Sequence, residues 1–249
     1  MPNATSEPYD VYYSSGTYDL RYPKPNPTVL DHILRLTTPD THLIDFGCGS
    51  GRYLVPLRQY LRCAAGFDIC QTALDILQER LAQTSGAPVA LLGPDLDSLA
   101  DHVARHGKPD LIVCLFGVLA HMTPRSARSE ILSLFRSLLR PGGRLLVSVP
   151  NRHRRFAREQ REATPGAEIS YRRMITGGSI SLPYQLFDPA MLSEELSSAG
   201  FLVEGAWAES VLPESWVTKG RLAGLTDSLL TPLCPVRWGY GILMQARIS

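Results

Sequence analysis

The stretch Leu43-Ile44-Asp45-Phe46-Gly47-Cys48-Gly49-Ser50-Gly51-Arg52-Tyr53 constrains this chain more than any other. An apolar run ends at Asp45, glycines follow at 47, 49 and 51, and a helical pattern begins at once. Strand, glycine turn and helix in that order let a backbone approach a ligand where a side chain would collide. The helix N-terminus adds free N–H groups at the same place. The spacing also excludes one ligand class. A dinucleotide fingerprint, G-x-G-x-x-G, needs a glycine at position 52, which is Arg52. Here the third glycine comes one residue early and an acid precedes the first.

The flanking pattern alternates between strand and helix. Leu43–Phe46, Ala64–Asp68, Val89–Leu92, Leu111–Phe116 and Arg144–Val149 read as strands, and Phe201–Ala208 and Gly241–Ile248 close the chain as two more. Between them, Arg52–Leu61, Thr72–Leu81, Leu96–His106, Thr123–Leu139 and Ala190–Ala199 carry apolar residues at helical spacing. Asn26-Pro27 marks a helix start, a capping residue before proline, and the device recurs at Thr123-Pro124 and Asp188-Pro189. The alternation predicts an α/β fold, a doubly wound, mostly parallel seven-stranded sheet with an antiparallel C-terminal strand. One domain over 1–249 is expected. Residues 1–41 form an N-terminal lid, 42–150 the cofactor-binding half, and 151–187 and 210–238 substrate-side insertions.

Composition narrows the classes. With 44% apolar and 20% charged residues the 249-residue chain reads as a globular enzyme, and a net charge of +1 supplies no global field toward nucleic acid or membrane. The start Met-Pro-Asn-Ala-Thr-Ser-Glu lacks the basic and apolar regions of a signal peptide, and no apolar stretch reaches the length of a membrane span. Cys48, Cys63, Cys70, Cys114 and Cys234 are odd in number and without C-x-x-C spacing. They are expected to be reduced thiols of a cytoplasmic protein, not metal ligands. The tyrosines at 9, 12, 13, 18 and 22 argue for an ordered lid, since disordered leaders are poor in aromatics.

Two acids complete a ligand site. Asp68 ends the second strand, where doubly wound sheets present a carboxylate to ribose hydroxyls, and helix capping is its competing role. Asp95-Leu96 follows the third strand, with Asp97 as a rival acid. The ordered set of D-x-G-x-G-x-G at Asp45–Gly51, Asp68, Asp95, the run Pro109–Met122 and Leu139-Arg140-Pro141-Gly142-Gly143 resembles the Rossmann-like S-adenosylmethionine (SAM) methyltransferases, continuously over residues 42–150. The resemblance implies that fold and SAM as cofactor, bound by Asp45, Gly47, Cys48, Gly49, Gly51, Asp68, Ile69, Phe116 and Gly117. It also implies that Asp95 accepts from the adenine amino group while Leu96 N–H donates to the ring. His121, in the loop after the fourth strand, is the candidate general base. The segment Tyr18-Asp19-Leu20-Arg21-Tyr22-Pro23 resembles the N-terminus of methyltransferases that esterify a carboxymethyl group on tRNA wobble uridine. There Tyr18 and Arg21 would reach the methionine end of SAM, Arg21 as a bidentate carboxylate clamp.

Arg152, Arg154, Arg155, Arg158 and Arg161 follow the fifth strand, joined later by Arg172 and Arg173. Arg154, Arg158 and Arg161 are expected on one helix face, either solvated or facing an anionic substrate. Phe187, Tyr184, Trp207, Trp216 and Trp238 are candidates for an apolar substrate wall. The expectation is a SAM-dependent methyltransferase acting on a small molecule, at oxygen and with an anionic group. Modified tRNA is the alternative acceptor, and a SAM-binding regulator without catalysis the alternative class. A nicotinamide oxidoreductase is excluded by Arg52 and by the two closing strands.

Overall fold

The computed structural model describes residues 6–162, 168–175 and 178–248. Nine strands form in chain order: β1 His42–Phe46, β2 Cys63–Phe67, β3 Val89–Leu92, β4 Leu111–Cys114, β5 Arg144–Pro150, β6 Ile169–Ile175, β7 Gly178–Tyr184, β8 Phe201–Ser210 and β9 Gly241–Ile248. Eleven α-helices accompany them: α1 Ser6–Ser14, α2 Thr17–Arg21, α3 Pro27–Leu36, α4 Leu54–Leu57, α5 Gln71–Ala82, α6 Asp97–His106, α7 Arg125–Leu138, α8 Ala157–Glu162, α9 Pro189–Ser198, α10 Glu214–Val217 and α11 Arg221–Leu230. Seven strands make one sheet in the order β3-β2-β1-β4-β5-β9-β8, and β6 with β7 is a separate hairpin. β1 to β5 run parallel, while β9 is antiparallel to both β5 and β8. The strand order therefore reverses between β1 and β4, and ligands of such sheets bind outside the carboxyl ends at that point.

Alternation along the strands divides the core in two. Ile44, Phe46, Ile112 and Cys114 pack into one cluster with Phe135, Leu192 and Leu196. Their neighbours Leu43, Leu111 and Val113 pack into the other with Val29, Ile33 and Leu77. Successive side chains of a strand point to opposite faces, so both faces of the sheet must be covered by helices. All four residues of β4 are buried. A bidentate pair, Arg128 Nε and Nη2 on the two Glu195 oxygens at 2.9 and 2.8 Å, ties α7 to α9 within that cover. Among the described residues no helix is long and apolar enough to cross a membrane.

Three expected boundaries move, each for a local reason. Asn26 and Asp188 cap α3 and α9 through their side chains, but Pro124 occupies the cap position of α7 with no side-chain bond, so that helix begins at Arg125. The helix expected over Arg52–Leu61 shrinks to Leu54–Leu57. Pro56 removes a donor there, and Arg58 instead ties Leu81, Gly86 and Ala87 carbonyls at 2.8–2.9 Å. β4 stops at Cys114 because Phe116 turns to φ +57 and Gly117 to φ +78, while Phe116 N–H donates to Ser148 Oγ at 2.7 Å. The hairpin β6–β7 was not expected. Residues 1–5 of the lid, residues 163–167 and 176–177 of the first insertion and Ser249 lie outside the described residues.

Candidate active site

Gly47, Gly49 and Gly51 all take left-handed backbone, with φ of +79°, +53° and +83°. The conformation folds the loop back on the sheet, so that Gly47 and Cys48 N–H both donate to Phe67 O at 2.7 and 3.0 Å. A side chain at either of the first two glycines would meet a neighbour already packed there. A Cβ at Gly47 would stand 2.4 Å from Val118 Cγ2, and one at Gly49 would stand 2.2 Å from the Tyr13 hydroxyl.

Two carboxylates, Asp45 at the end of β1 and Asp68 after β2, lie beside this loop. Asp68 Oδ2 accepts from Gly49 N at 2.8 Å and Oδ1 from Cys70 N at 2.9 Å. Burial pushes its carboxyl up to about 6, against those backbone donors. Burial, and then the Asp68 charge, pushes Asp45 up to about 7. Each carboxylate oxygen has two acceptor sites, so Asp68 keeps capacity for hydroxyl donors. A cation placed here would relieve the repulsion between the two acids. Ile69 follows Asp68 directly, and Gly93 packs on the Asp68 carbonyl, which sets the turn after β3 beside it. Asp95 and Leu96 are exposed in that turn, where Asp95 Oδ1 accepts from Asp97 N at 3.2 Å and its carbonyl from Ser98. The fit for SAM is good in this sense: a cradle closed to side chains, paired acids for a cationic ligand, and an acid at the next strand end.

The lid lies over the crevice. Asp10 accepts from Cys70 Sγ at 3.1 Å, and Asp19 accepts from Ser50 Oγ at 2.7 Å and pairs with Arg80 at 2.8 Å. Tyr18 packs between Tyr13, ring centroids 4.6 Å apart, and Tyr22 at 5.5 Å. Tyr22 meets Phe116 edge-on at 4.6 Å. His121 anchors the lid from below. Its Nδ1–H donates to Pro183 O at 3.0 Å, which leaves Nε2 to accept the Tyr9 hydroxyl at 2.8 Å. Burial holds its pKa down near 4, so the ring is neutral at pH 7. Both ring nitrogens are engaged, and in this closed arrangement His121 joins lid and hairpin and does not face an acceptor.

Phe116 also forms a wall of an open cavity of about 170 Å³, lined by Arg21, Tyr22, Arg155, Phe156, Arg172, Arg173, Glu214, Ser215 and Tyr240. This corrects the expectation for the arginine run. Arg152 leans on Asp188 at 3.8 Å, Arg154 precedes α8 and donates to Trp238 O at 2.7 Å, and Arg158 pairs with Glu162 in solvent. Of the five, Arg155 lines the cavity, its guanidinium over the Tyr240 and Phe156 rings at 4.9 and 5.0 Å. Arg172 and Arg173 arrive on the hairpin. Arg21 lines the same cavity and donates to the Tyr22 hydroxyl at 3.0 Å. The three tryptophans are not in its wall: Trp207 rests on His32 at 4.6 Å, and Trp216 and Trp238 are exposed. Phe187 is buried against Arg128, and Tyr184 stacks on His121.

Sequence reasoning missed Arg52, which replaces the dinucleotide glycine. It is buried, paired with Glu214 at 3.2 Å and stacked over Phe116 at 4.2 Å. Glu214 also accepts from Asn26 Nδ2 at 2.8 Å. Glu209 is buried alongside, its carboxyl raised by that burial and then by the Glu214 charge. Nothing in the local pattern around 209–214 announces this. The hairpin did leave a signal: Ile169–Ile175 and Ser179–Tyr184 alternate around Thr176-Gly177-Gly178.

A family model described as a methyltransferase domain matches residues 21–204. A ubiquinone biosynthesis O-methyltransferase of Xylella fastidiosa (strain M23) is 30% identical over 226 residues, covering 86% of this chain and 84% of that protein. Among solved structures, a SAM-dependent methyltransferase of Methanosarcina mazei aligns with a TM-score of 0.66 at 17% identity, over 90% of this chain and 98% of that one. Magnesium protoporphyrin IX methyltransferase of Synechocystis, with bound SAH, aligns at 0.57 and 20% identity, over 97% and 86%. Those two likenesses show the fold, and the family match together with the first relative shows the lineage. The seven-stranded sheet with its reversed β9 and these matches thus show that the chain belongs to the SAM-dependent, Rossmann-like methyltransferases.

Proposed function

We propose that the chain methylates an oxygen of a small acceptor that carries an anionic group. The observation that carries this reading is the shared wall at Phe116. One side of the turn after β4 presses Val118 on the glycine loop, and Phe116 on the other lines a cavity holding Arg21, Arg155, Arg172 and Arg173. When bound, SAM supplies a methyl group on a sulfonium, and displacement at that carbon depends chiefly on positioning. Asp68 is assigned to the ribose hydroxyls, Asp45 to the cationic end, and Asp95 with Leu96 to the adenine. Tyr18 packs against the cofactor side of Phe116, and Arg21 is reassigned to the acceptor.

At about 170 Å³ and open on one side, the cavity has room for part of a small acceptor. Its tyrosine and phenylalanine walls favour a flat apolar body, and its guanidiniums favour a carboxylate or phosphate. The Xylella relative, an O-methyltransferase, supports oxygen as the acceptor atom. For tRNA, the net charge of +1 offers no broad basic face. All five cysteines are free, in keeping with a cytoplasmic enzyme.

Label transfer from methyl-tritiated SAM to matched phenols with and without a carboxylate tests the reading. The acid should be the better acceptor, and Arg172→Ala with Arg173→Ala should raise its KM about 10- to 100-fold, the span of hydrogen bonds to a charged group. The SAM dissociation constant should hold. Equal use of both phenols, with the acceptor KM unmoved in the double variant, overturns the anionic assignment. Label in tRNA and none in small acceptors overturns the acceptor class.

A further inference from the structure

At the opposite end of the sheet from the glycine loop, three metal-ligating side chains converge. His42 opens β1, Cys63 opens β2, and the two residues are register partners in the parallel ladder. His102 reaches them from α6. The Nε2 atoms of His42 and His102 face each other at 3.0 Å, and one ligand atom from each of the three residues lies within 4.8 Å of the others. Both imidazoles are buried, at 7% and 2% exposure, while Cys63 is half-buried and gives the cluster an outlet to solvent.

We propose that His42, Cys63 and His102 form a binding site for a borderline-soft divalent ion of the zinc type. The donor set is the argument. Two imidazoles and one thiolate are the ligands such ions select, with bonds of about 2.0–2.1 Å to nitrogen and about 2.3 Å to sulfur. A tetrahedral centre with those bonds sets its ligand atoms about 3.3–3.6 Å apart. The two nitrogens already stand a few tenths of an ångström inside that span, and no pair has more than about 1.5 Å to close. His106 follows His102 by one turn of α6, its ring 4.6 Å away and exposed, in the H-x₃-H spacing common at zinc sites. Solvent or His106 completes the coordination.

The sequence could not show this site. Its ligands come from the starts of two strands and the middle of a helix, so no C-x-x-C spacing exists. The expectation that the cysteines are bare thiols holds for none of the three-element geometry around Cys63. β1 is five residues long, which sets the cluster on the order of 15 Å from the glycine loop. The ion's task is therefore to fasten the amino ends of β1 and β2 to α6, outside the methyl-transfer chemistry.

The test uses the full chain stripped with a chelator and titrated with Co²⁺, then with Zn²⁺ against a chromogenic competitor. Wild type should bind one ion with the thiolate-to-cobalt charge-transfer band of a cysteine ligand. Cys63→Ser is close in shape at a half-buried position and should fold normally without that band. His102→Ala, checked for fold by circular dichroism, should weaken Zn²⁺ by more than about 100-fold, since even outer-shell losses reach that size. Cys234→Ser should match wild type. Absence of the band in wild type, its persistence in Cys63→Ser, or equal Zn²⁺ affinity in Cys63→Ser and wild type each overturns the site.

Discussion

Replacing Asp68 with asparagine probes the cofactor site most directly, because its effects on binding and on stability have opposite signs. Asp68 binds Gly49 and Cys70 N–H, and its carboxyl is raised from 3.8 to about 6, burial being the largest cause. A raised folded-state pKa means that folding disfavours the charge. The stability this group contributes is complete below its unfolded pKa, near 4, and is lost as pH rises through about 6. At ~1.4 kcal/mol per tenfold, the ligand-free protein should lose about 3 kcal/mol through this one group between pH 4 and pH 7. Cofactor binding runs the other way, since hydroxyl donors and a cation both want the carboxylate. SAM affinity should therefore fall as pH drops from 8 to 5, through Asp45 at about 7 and Asp68 at about 6. In Asp68→Asn the charge-assisted bonds are gone, and affinity at pH 8 should drop by about 1.5–3 kcal/mol, roughly 10- to 150-fold. The residual pH dependence should be shallower, because Asp45 alone still titrates. Calorimetric titration across that pH range, with thermal unfolding of the ligand-free variant as the folding control, measures both. Affinities within twofold at pH 8 and superimposable pH profiles would refute the assignment of Asp68 as a cofactor ligand.

Gly49→Val should bind SAM more than about 100-fold weaker while β1 and β2 stay intact, because a branched side chain at φ +53° meets the Tyr13 hydroxyl and the ligand's space. Normal SAM binding by the folded variant would place the site elsewhere. His121→Ala removes the acceptor of the Tyr9 hydroxyl, so proteolysis within residues 9–25 should quicken and the SAM KM should rise several-fold, with the pH profile of kcat unchanged. Loss of an ionisation from that profile would instead give His121 the general-base role.

Which parts of this site could be read in sequence follows from how each is built. The proposed cofactor site rests on a contiguous stretch shaped by its backbone more than by its side chains. Left-handed conformations at 47, 49 and 51 demand glycine, so the geometry is written into the residues that adopt it. The strands are equally local: β4 and β5, buried on both faces, must read as apolar runs, and Asp68 marks the end of β2. The cavity proposed for the acceptor is different in kind. Arg155 follows β5, Arg172 and Arg173 ride on a hairpin, Arg21 comes from the lid, and Glu214 lies beyond β8. No local pattern connects them, and the run of five arginines brings one member, Arg155, to the cavity. Arg158 pairs with Glu162 one turn along its own helix, and Arg154 is spent on the Trp238 carbonyl, a tertiary contact. The same holds for Arg52, whose burial depends on Glu214 arriving from the far end of the chain. The cofactor half can thus stay constant while the acceptor changes, because the side chains that would select an acceptor stand on the lid and the insertions, outside the stretch that the glycine loop dictates.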